Sequence, residues 1–132
     1  MSYLLDTNTV IALMKNDANV VAHVRRVGLT ELRLCAPVEA ELWFGVCKSG
    51  KPEDNRQRLL TLLSWLPSLP FSSEAAPHFG EIRAALAGQG TPIGPYDLQI
   101  AAIARARSMV VVTHNTHEFA RVSGLALEDW LV

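Results

Sequence analysis

The sequence predicts one α/β domain built on a mostly parallel central sheet with helices on both faces. Three observations carry that prediction. Short apolar runs alternate with longer segments of helical spacing, so successive strands need crossover connections and run parallel. The runs are continuous rather than alternating, as expected of strands covered on both faces. A chain of 132 residues that is 49% hydrophobic and 19% charged is long enough for one real core and is read as a single domain, 1–132.

The elements follow in order. Tyr3–Asp6 reads as a buried strand, and Thr9–Lys15 and Asn19–Val27 read as helices. Leu32–Ala36 is a second short strand. Pro37 suits the first position of a helix running to about Lys48, with Gly50 as its stop. Pro52 opens another helix, which carries Leu59, Leu60, Leu62, Leu63 and Leu66 at helical spacing. Leu69–Phe71 is a third strand. Ser73–Gln89 is helical with Pro77 in its first turn, and Thr91-Pro92-Ile93-Gly94-Pro95 is a loop. Tyr96–Arg107 is an alanine-rich helix, and Met109–Val112, a pure apolar run, is the clearest strand. A turn or short helix at Thr116–Arg121 precedes a tail ending Leu127-Glu128-Asp129-Trp130.

Composition narrows the function. A formal net charge of −1 argues against a generic nucleic-acid coat, which is strongly basic. It leaves room for a nuclease, where a local patch and a bound metal handle phosphate. Cys35 and Cys47 are too few for a disulfide framework, and both sit in apolar surroundings, so buried reduced thiols are expected. No basic leader with a long apolar run opens the chain, and no stretch approaches the ~20 apolar residues of a membrane span. A soluble, cytoplasmic protein with no membrane partner is the expectation.

In parallel sheets, ligands bind beyond the carboxyl ends of the strands. That edge contains Asp6 and the Thr113-His114-Asn115 segment. Asp6 has an ordinary explanation as a helix cap, but Thr7 and Asn8 are enough for that task, which leaves Asp6 partly spare. Glu41 falls in an apolar stripe with Val38, Leu42 and Gly45, where a carboxylate is costly unless paired or bound to metal; a salt bridge to an arginine or a solvated edge is the ordinary alternative. Asp97 lies one turn into the helix that Pro95 opens, where dipole complementarity alone accounts for it. It also leads the face of Ile100, Ala101 and Ala104, which should pack inward and aim the carboxylate at the strand ends. Asn115 and Glu118 follow the Val110–Val112 strand. Singly they read as a turn residue and a helix-edge charge.

Taken together, three separate segments bring carboxylates to one end of the sheet. Such charges repel and raise one another's pKa unless a cation joins them. Oxygen-only ligands favour Mg²⁺ or Mn²⁺ over zinc, and an ion of that kind activates water and neutralises charge on a phosphate. That is phosphodiester hydrolysis chemistry. His114 and His117 lack the further His or Cys ligands of a zinc site. Gly88-x-Gly90 lacks the context of a phosphate loop, and no G-x-S-x-G element is present. Arg25, Arg26, Lys48, Lys51, Arg56 and Arg58 read singly as solvated surface, although Lys48 and Lys51 follow the helix of Glu41 and could guide a polyanion. Trp43 and Phe44 do not both fit against the core, and an apolar surface there suits a partner chain.

Five segments in order, L-L-D-T-N, A-E-L-W-F-G-V followed by K-S, G-x-P-I-G-P-Y-D-L-Q-I-A-A, V-V-T-H-N-T-x-E-F and the closing L-x-L-E-D-W, cover essentially the whole chain. With them the sequence resembles the PIN-domain ribonucleases, and most closely the VapC-type toxins of bacterial toxin–antitoxin pairs. The resemblance implies a three-layer α/β/α domain and Mg²⁺- or Mn²⁺-dependent endoribonuclease activity on structured RNA such as tRNA, leaving a 5′-phosphate and a 3′-hydroxyl. Its acidic quartet carries over onto Asp6, Glu41 and Asp97, with either Asn115 or Glu118 in the last place. Aspartate is frequent there in the family; here Asn115 is neutral and Glu118 is longer. In this reading Asp6, Asp97 and Glu41 hold the metal, and Thr7, Asn8 and Thr113 support them. The resemblance also implies a homodimer, an antitoxin partner that covers the site, and contact with DNA only through that antitoxin. The alternative is a non-catalytic module on the same fold that grips RNA or a protein. A phosphoryl-accepting receiver domain fits less well, since neither an acidic pair after the first strand nor a lysine after the Val110–Val112 strand is present.

Overall fold

The computed structural model describes residues 1–132. Five strands, β1 (Tyr3–Leu5), β2 (Leu32–Cys35), β3 (Ser68–Leu69), β4 (Val110–Val112) and β5 (Ala126–Glu128), are joined by seven helices: α1 (Thr7–Met14), α2 (Ala18–Val27), α3 (Ala36–Lys48), α4 (Pro52–Trp65), α5 (Ala76–Gly88), α6 (Pro95–Ala106) and α7 (Thr116–Phe119). The strands form one sheet in the order β3-β2-β1-β4-β5, and every pairing is parallel. Helices cover both faces, giving the three-layer α/β/α arrangement.

The apolar runs account for this order. Leu4, Leu5 and Val111 are fully excluded from solvent, and the register sets Leu4 beside Val111 and Leu5 beside Val112. A strand buried along its whole length suits the middle of a doubly covered sheet, and β1 takes that place. The chain passes from β1 outward to β2 and β3, then returns to build β4 and β5 on the other side. The order therefore reverses between β1 and β4, which leaves a crevice beyond their carboxyl ends. Asp6 and Thr113 are the residues that follow those two strands.

The departures from expectation have local causes. The third strand ends at Leu69 because Pro70 has no N–H to extend the ladder; Phe71 instead meets Phe79 edge to face, with ring centroids 5.6 Å apart. The helix expected from Ser73 begins at Ala76, after a turn in which the Ala75 N–H donates to the Ser72 carbonyl, and Pro77 does fall in its first turn. The expected tail is a fifth strand. Ala-Leu-Glu at a sheet edge offers almost no apolar run to read, but it pairs with β4 from Ala126 to Glu128. Trp130, fully buried, anchors it by stacking on His23 at 5.3 Å.

Cys35 is buried and Cys47 exposed, with no disulfide between them. The expectation that both are buried fails at Cys47 because it lies five residues beyond buried Leu42 on α3, about 140° around the helix. On α4, Leu59 and Leu62 are buried, as is Leu66 just past its end, while Leu60 is exposed. No helix is long and apolar enough to cross a membrane.

Candidate active site

Asp6 is the most firmly held acid of the crevice. Its N–H donates to the Val112 carbonyl at 3.0 Å, tying the end of β1 to the end of β4. Its Oδ1 accepts from the Thr9 N–H at 3.0 Å, and its Oδ2 accepts from the Thr113 hydroxyl at 2.6 Å. Asp6 is therefore itself the cap of α1. Thr7 and Asn8, expected to serve in its place, do not cap; Asn8 is exposed. Thr9 adds a further tie, its hydroxyl donating to the Val112 carbonyl at 3.2 Å. The sequence pattern gave no hint of this double use of Thr9, whose one signal is a polar residue on the inward side of α1.

The chain of contacts continues from Thr113, whose hydroxyl oxygen accepts from the Asn115 N–H at 2.9 Å. The Asn115 side-chain amide donates to Glu118 Oε2 at 2.9 Å and, more weakly, to Asp97 Oδ2 at 3.4 Å. A neutral side chain thus bridges two acids, and Asn115 and Glu118 stand side by side at this edge. Pro95 sets Asp97 in the first turn of α6, as its sequence position indicated.

The electrostatics show one crowded acidic site. The Asp97 carboxyl is pushed up to about 7, first by burial, then by its hydrogen bond with Glu118, and then by the charges of Glu118, Asp6 and Glu41. Glu118 is held below the usual range, first by the Asn115 amide and then by Asp97. Of the two, Asp97 holds a proton the more readily.

Glu41 reaches the same place from α3. None of the chain's ion pairs includes it, which removes the salt bridge as an explanation for an acid in an apolar stripe. Its charge also acts on the Cys35 thiol, which is pushed up to about 12 by burial first, against a lowering by the Val38 N–H and with further raising by Glu41 and Asp6. Glu41 shares a cavity wall with Thr7 and Tyr96, and the Thr7 hydroxyl is buried with no hydrogen-bond partner.

No group of three His, Cys, Asp or Glu side chains stands ready as a metal cluster. The donors nevertheless fit a hard divalent cation. They are oxygen atoms only, their charges oppose one another at Asp97, and a buried hydroxyl beside them lacks a partner. Mg²⁺ keeps several of its waters and needs only one or two carboxylates. The histidines take other roles: His114 Nδ1 pairs with Asp129 Oδ2 at 2.9 Å, and His117 contacts Arg121 at 3.4 Å. The His114–Asp129 pair was missed in the sequence because β5, which carries Asp129 to this edge, was not recognised.

The chain matches the PIN domain family over residues 3–125. It is 43% identical to the tRNA(fMet)-specific endonuclease VapC of Salmonella typhimurium, with 98% of each chain covered. It is 36% identical to the ribonuclease VapC2 of Haemophilus influenzae, with 99% of each covered. Among solved structures, it is similar to DNA-bound VapBC from Salmonella typhimurium at a TM-score of 0.91 and 39% identity, covering 98% of each chain. It is also similar to VapBC2 from Rickettsia felis bound to a promoter DNA fragment, at a TM-score of 0.89 and 34% identity, covering 98% of this chain and 99% of that one.

Proposed function

We infer the function from one premise: this chain belongs to the PIN-domain family. Its full-length relatives are named as ribonucleases, and its solved neighbours are toxin–antitoxin complexes. The chain is an endoribonuclease toxin restrained by a cognate antitoxin protein. Structured RNA such as tRNA is its substrate class, and promoter DNA is contacted through the antitoxin. Assembly as a homodimer belongs to the same reading and is measured by sedimentation.

The observation that carries the reading is the meeting of acids from separate elements at one sheet edge, where Glu118, Asp6 and Glu41 all act on Asp97. We assign Asp6, Asp97 and Glu41 to hold Mg²⁺ or Mn²⁺. When bound, such an ion supplies Lewis acidity and neutralises charge on the phosphate. The rest is done by the chain. Asp6 presents a carboxylate fixed from both sides by Thr9 and Thr113. Glu41, on the cavity wall, orients a water for attack at phosphorus. The water's oxygen bonds to phosphorus and releases one proton to solvent, the P–O3′ bond breaks, and the departing oxygen takes a proton from solvent to become the 3′-hydroxyl, leaving the 5′-phosphate. Asn115 and Glu118 position Asp97 through the hydrogen bonds described above.

Incubating the purified chain with total tRNA tests this. Cleavage with Mg²⁺, arrest by EDTA and loss in Asp6→Asn/Asp97→Asn are expected. RNA binding indifferent to EDTA, with no cleavage under any divalent metal, would instead establish the non-catalytic binding module.

A further inference from the structure

We propose that Phe44, Tyr96 and Lys48 form a nucleotide subsite beside the catalytic carboxylates, which stacks an unpaired RNA base on an aromatic ring and meets its phosphate with an ammonium group. The proposal rests on the ribonuclease reading above and gives that site a substrate requirement, a base free of its helix.

Phe44 is 65% and Tyr96 55% exposed, an unfavourable display for two large rings. Both line one cavity of about 620 Å³ together with Thr7, Glu41, Gly45 and Lys48, a size in the roughly 300–1,000 Å³ range of ligand sites. The lining follows from helical spacing. Glu41, Phe44 with Gly45, and Lys48 fall at i, i+3/i+4 and i+7 along α3, one stripe facing one way. Tyr96 directly precedes Asp97. The rings therefore share a cavity with Glu41, one of the acids assigned to the reaction, rather than lining a remote surface.

The lining also indicates the occupant. The Lys48 ammonium stands 5.1 Å from the Phe44 ring centroid. Aromatic faces beside cations, in a groove that follows the backbone, are how proteins take single-stranded nucleic acid, and unstacked bases are what RNA-binding side chains read. Ile11 and Ala40 complete the wall; Phe and Tyr also suit a protein–protein contact, but lysine and glutamate are depleted at the core of one, and this cavity contains one of each. Gly45 keeps it open: a Cβ built there meets nothing within 4 Å, so a larger side chain fits on the helix and projects into the space.

The test uses the full chain carrying Asp97→Asn, to prevent cleavage, and an RNA hairpin with 2-aminopurine placed either in the loop or in the stem. Binding should quench the loop probe and leave the stem probe unchanged. Phe44→Leu and Tyr96→Leu should each weaken loop binding roughly 5- to 100-fold and relieve the quenching. Gly45→Leu, which fills the space and removes a helical glycine, should fold at least as stably and block the loop probe. With the acids intact, the leucine variants should raise KM more than they lower kcat. If the unsubstituted chain cuts no RNA, the nuclease reading itself falls. If it cuts RNA but loop and stem probes behave alike, or the leucine variants bind and cut unchanged, the subsite is overturned. It is equally overturned if Phe44→Leu converts a dimer to a monomer while quenching persists.

Discussion

The Thr113 hydroxyl donates a 2.6 Å hydrogen bond to Asp6 Oδ2, joining two residues 107 positions apart across the reversal point of the sheet. Both are buried. Thr113→Val keeps the shape and removes the donor, leaving a buried carboxylate oxygen unpaired. The variant should lose about 1–3 kcal/mol of stability in a urea titration, and its RNA cleavage should fall at least tenfold. Thr113→Ser should retain most of both. A valine variant as stable and active as the parent would separate Thr113 from the site.

Asn115 joins Asp97 and Glu118 without adding charge. Asn115→Asp exchanges that bridging donor for a third carboxyl group. The metal-free variant should unfold at a lower temperature than the parent, and the stabilisation by Mg²⁺ should be larger in the variant. Thermal melts with and without the cation read this directly. Asn115→Ala, which removes the bridge and adds no charge, should show the smaller Mg²⁺ effect of the two.

The raised Asp97 pKa makes the metal-free fold sensitive to pH. Its folded value of about 7 lies above the unfolded value of roughly 3.9, so the folded state binds this proton more tightly. The associated stability is complete below about pH 4 and is lost as pH rises towards 7. A divalent cation offsets the loss only where Asp97 is ionised. The Mg²⁺-induced rise in melting temperature should therefore be distinct at pH 8 and slight at pH 5, and Asp97→Asn should abolish the difference.

The two thiols should separate cleanly. Cys47 is exposed, and Cys35 is buried with its thiol pushed up to about 12. At pH 8 the native chain should take up one equivalent of iodoacetamide, at Cys47, and a second only in denaturant. Peptide mass mapping assigns the sites. Rapid labelling of Cys35 in the native chain would contradict the burial at the end of β2.

Features written in local sequence were the most legible. The unbroken apolar runs of β1 and β4 gave the parallel sheet, and Pro95 placed Asp97 in a first turn. Glu41 was visible as an acid in the wrong stripe. Features set by tertiary pairing were hidden. Asp6 proved to be both the cap of α1 and the acceptor of a bond from Thr113, because the second partner lies at the far end of the chain. The amide that joins Asn115 to Glu118 and Asp97 could not be read from sequence either, since Asp97 comes from another helix. The edge strand β5 carries too little apolar character to announce itself, and it took the His114–Asp129 pair with it. Cys47 looked buried because its neighbours in sequence are apolar, although its direction on α3 is outward.

End-mapping of RNA after incubation with the purified chain, against Asp97→Asn, bears most directly on the central assignment. Discrete cuts with 5′-phosphate and 3′-hydroxyl ends are expected in the presence of Mg²⁺. They should vanish with EDTA and fall on the order of 10²–10³-fold in the variant, the scale on which lost charge stabilisation slows a reaction. Cuts that persist in EDTA, or at an unchanged rate in Asp97→Asn, would contradict that assignment.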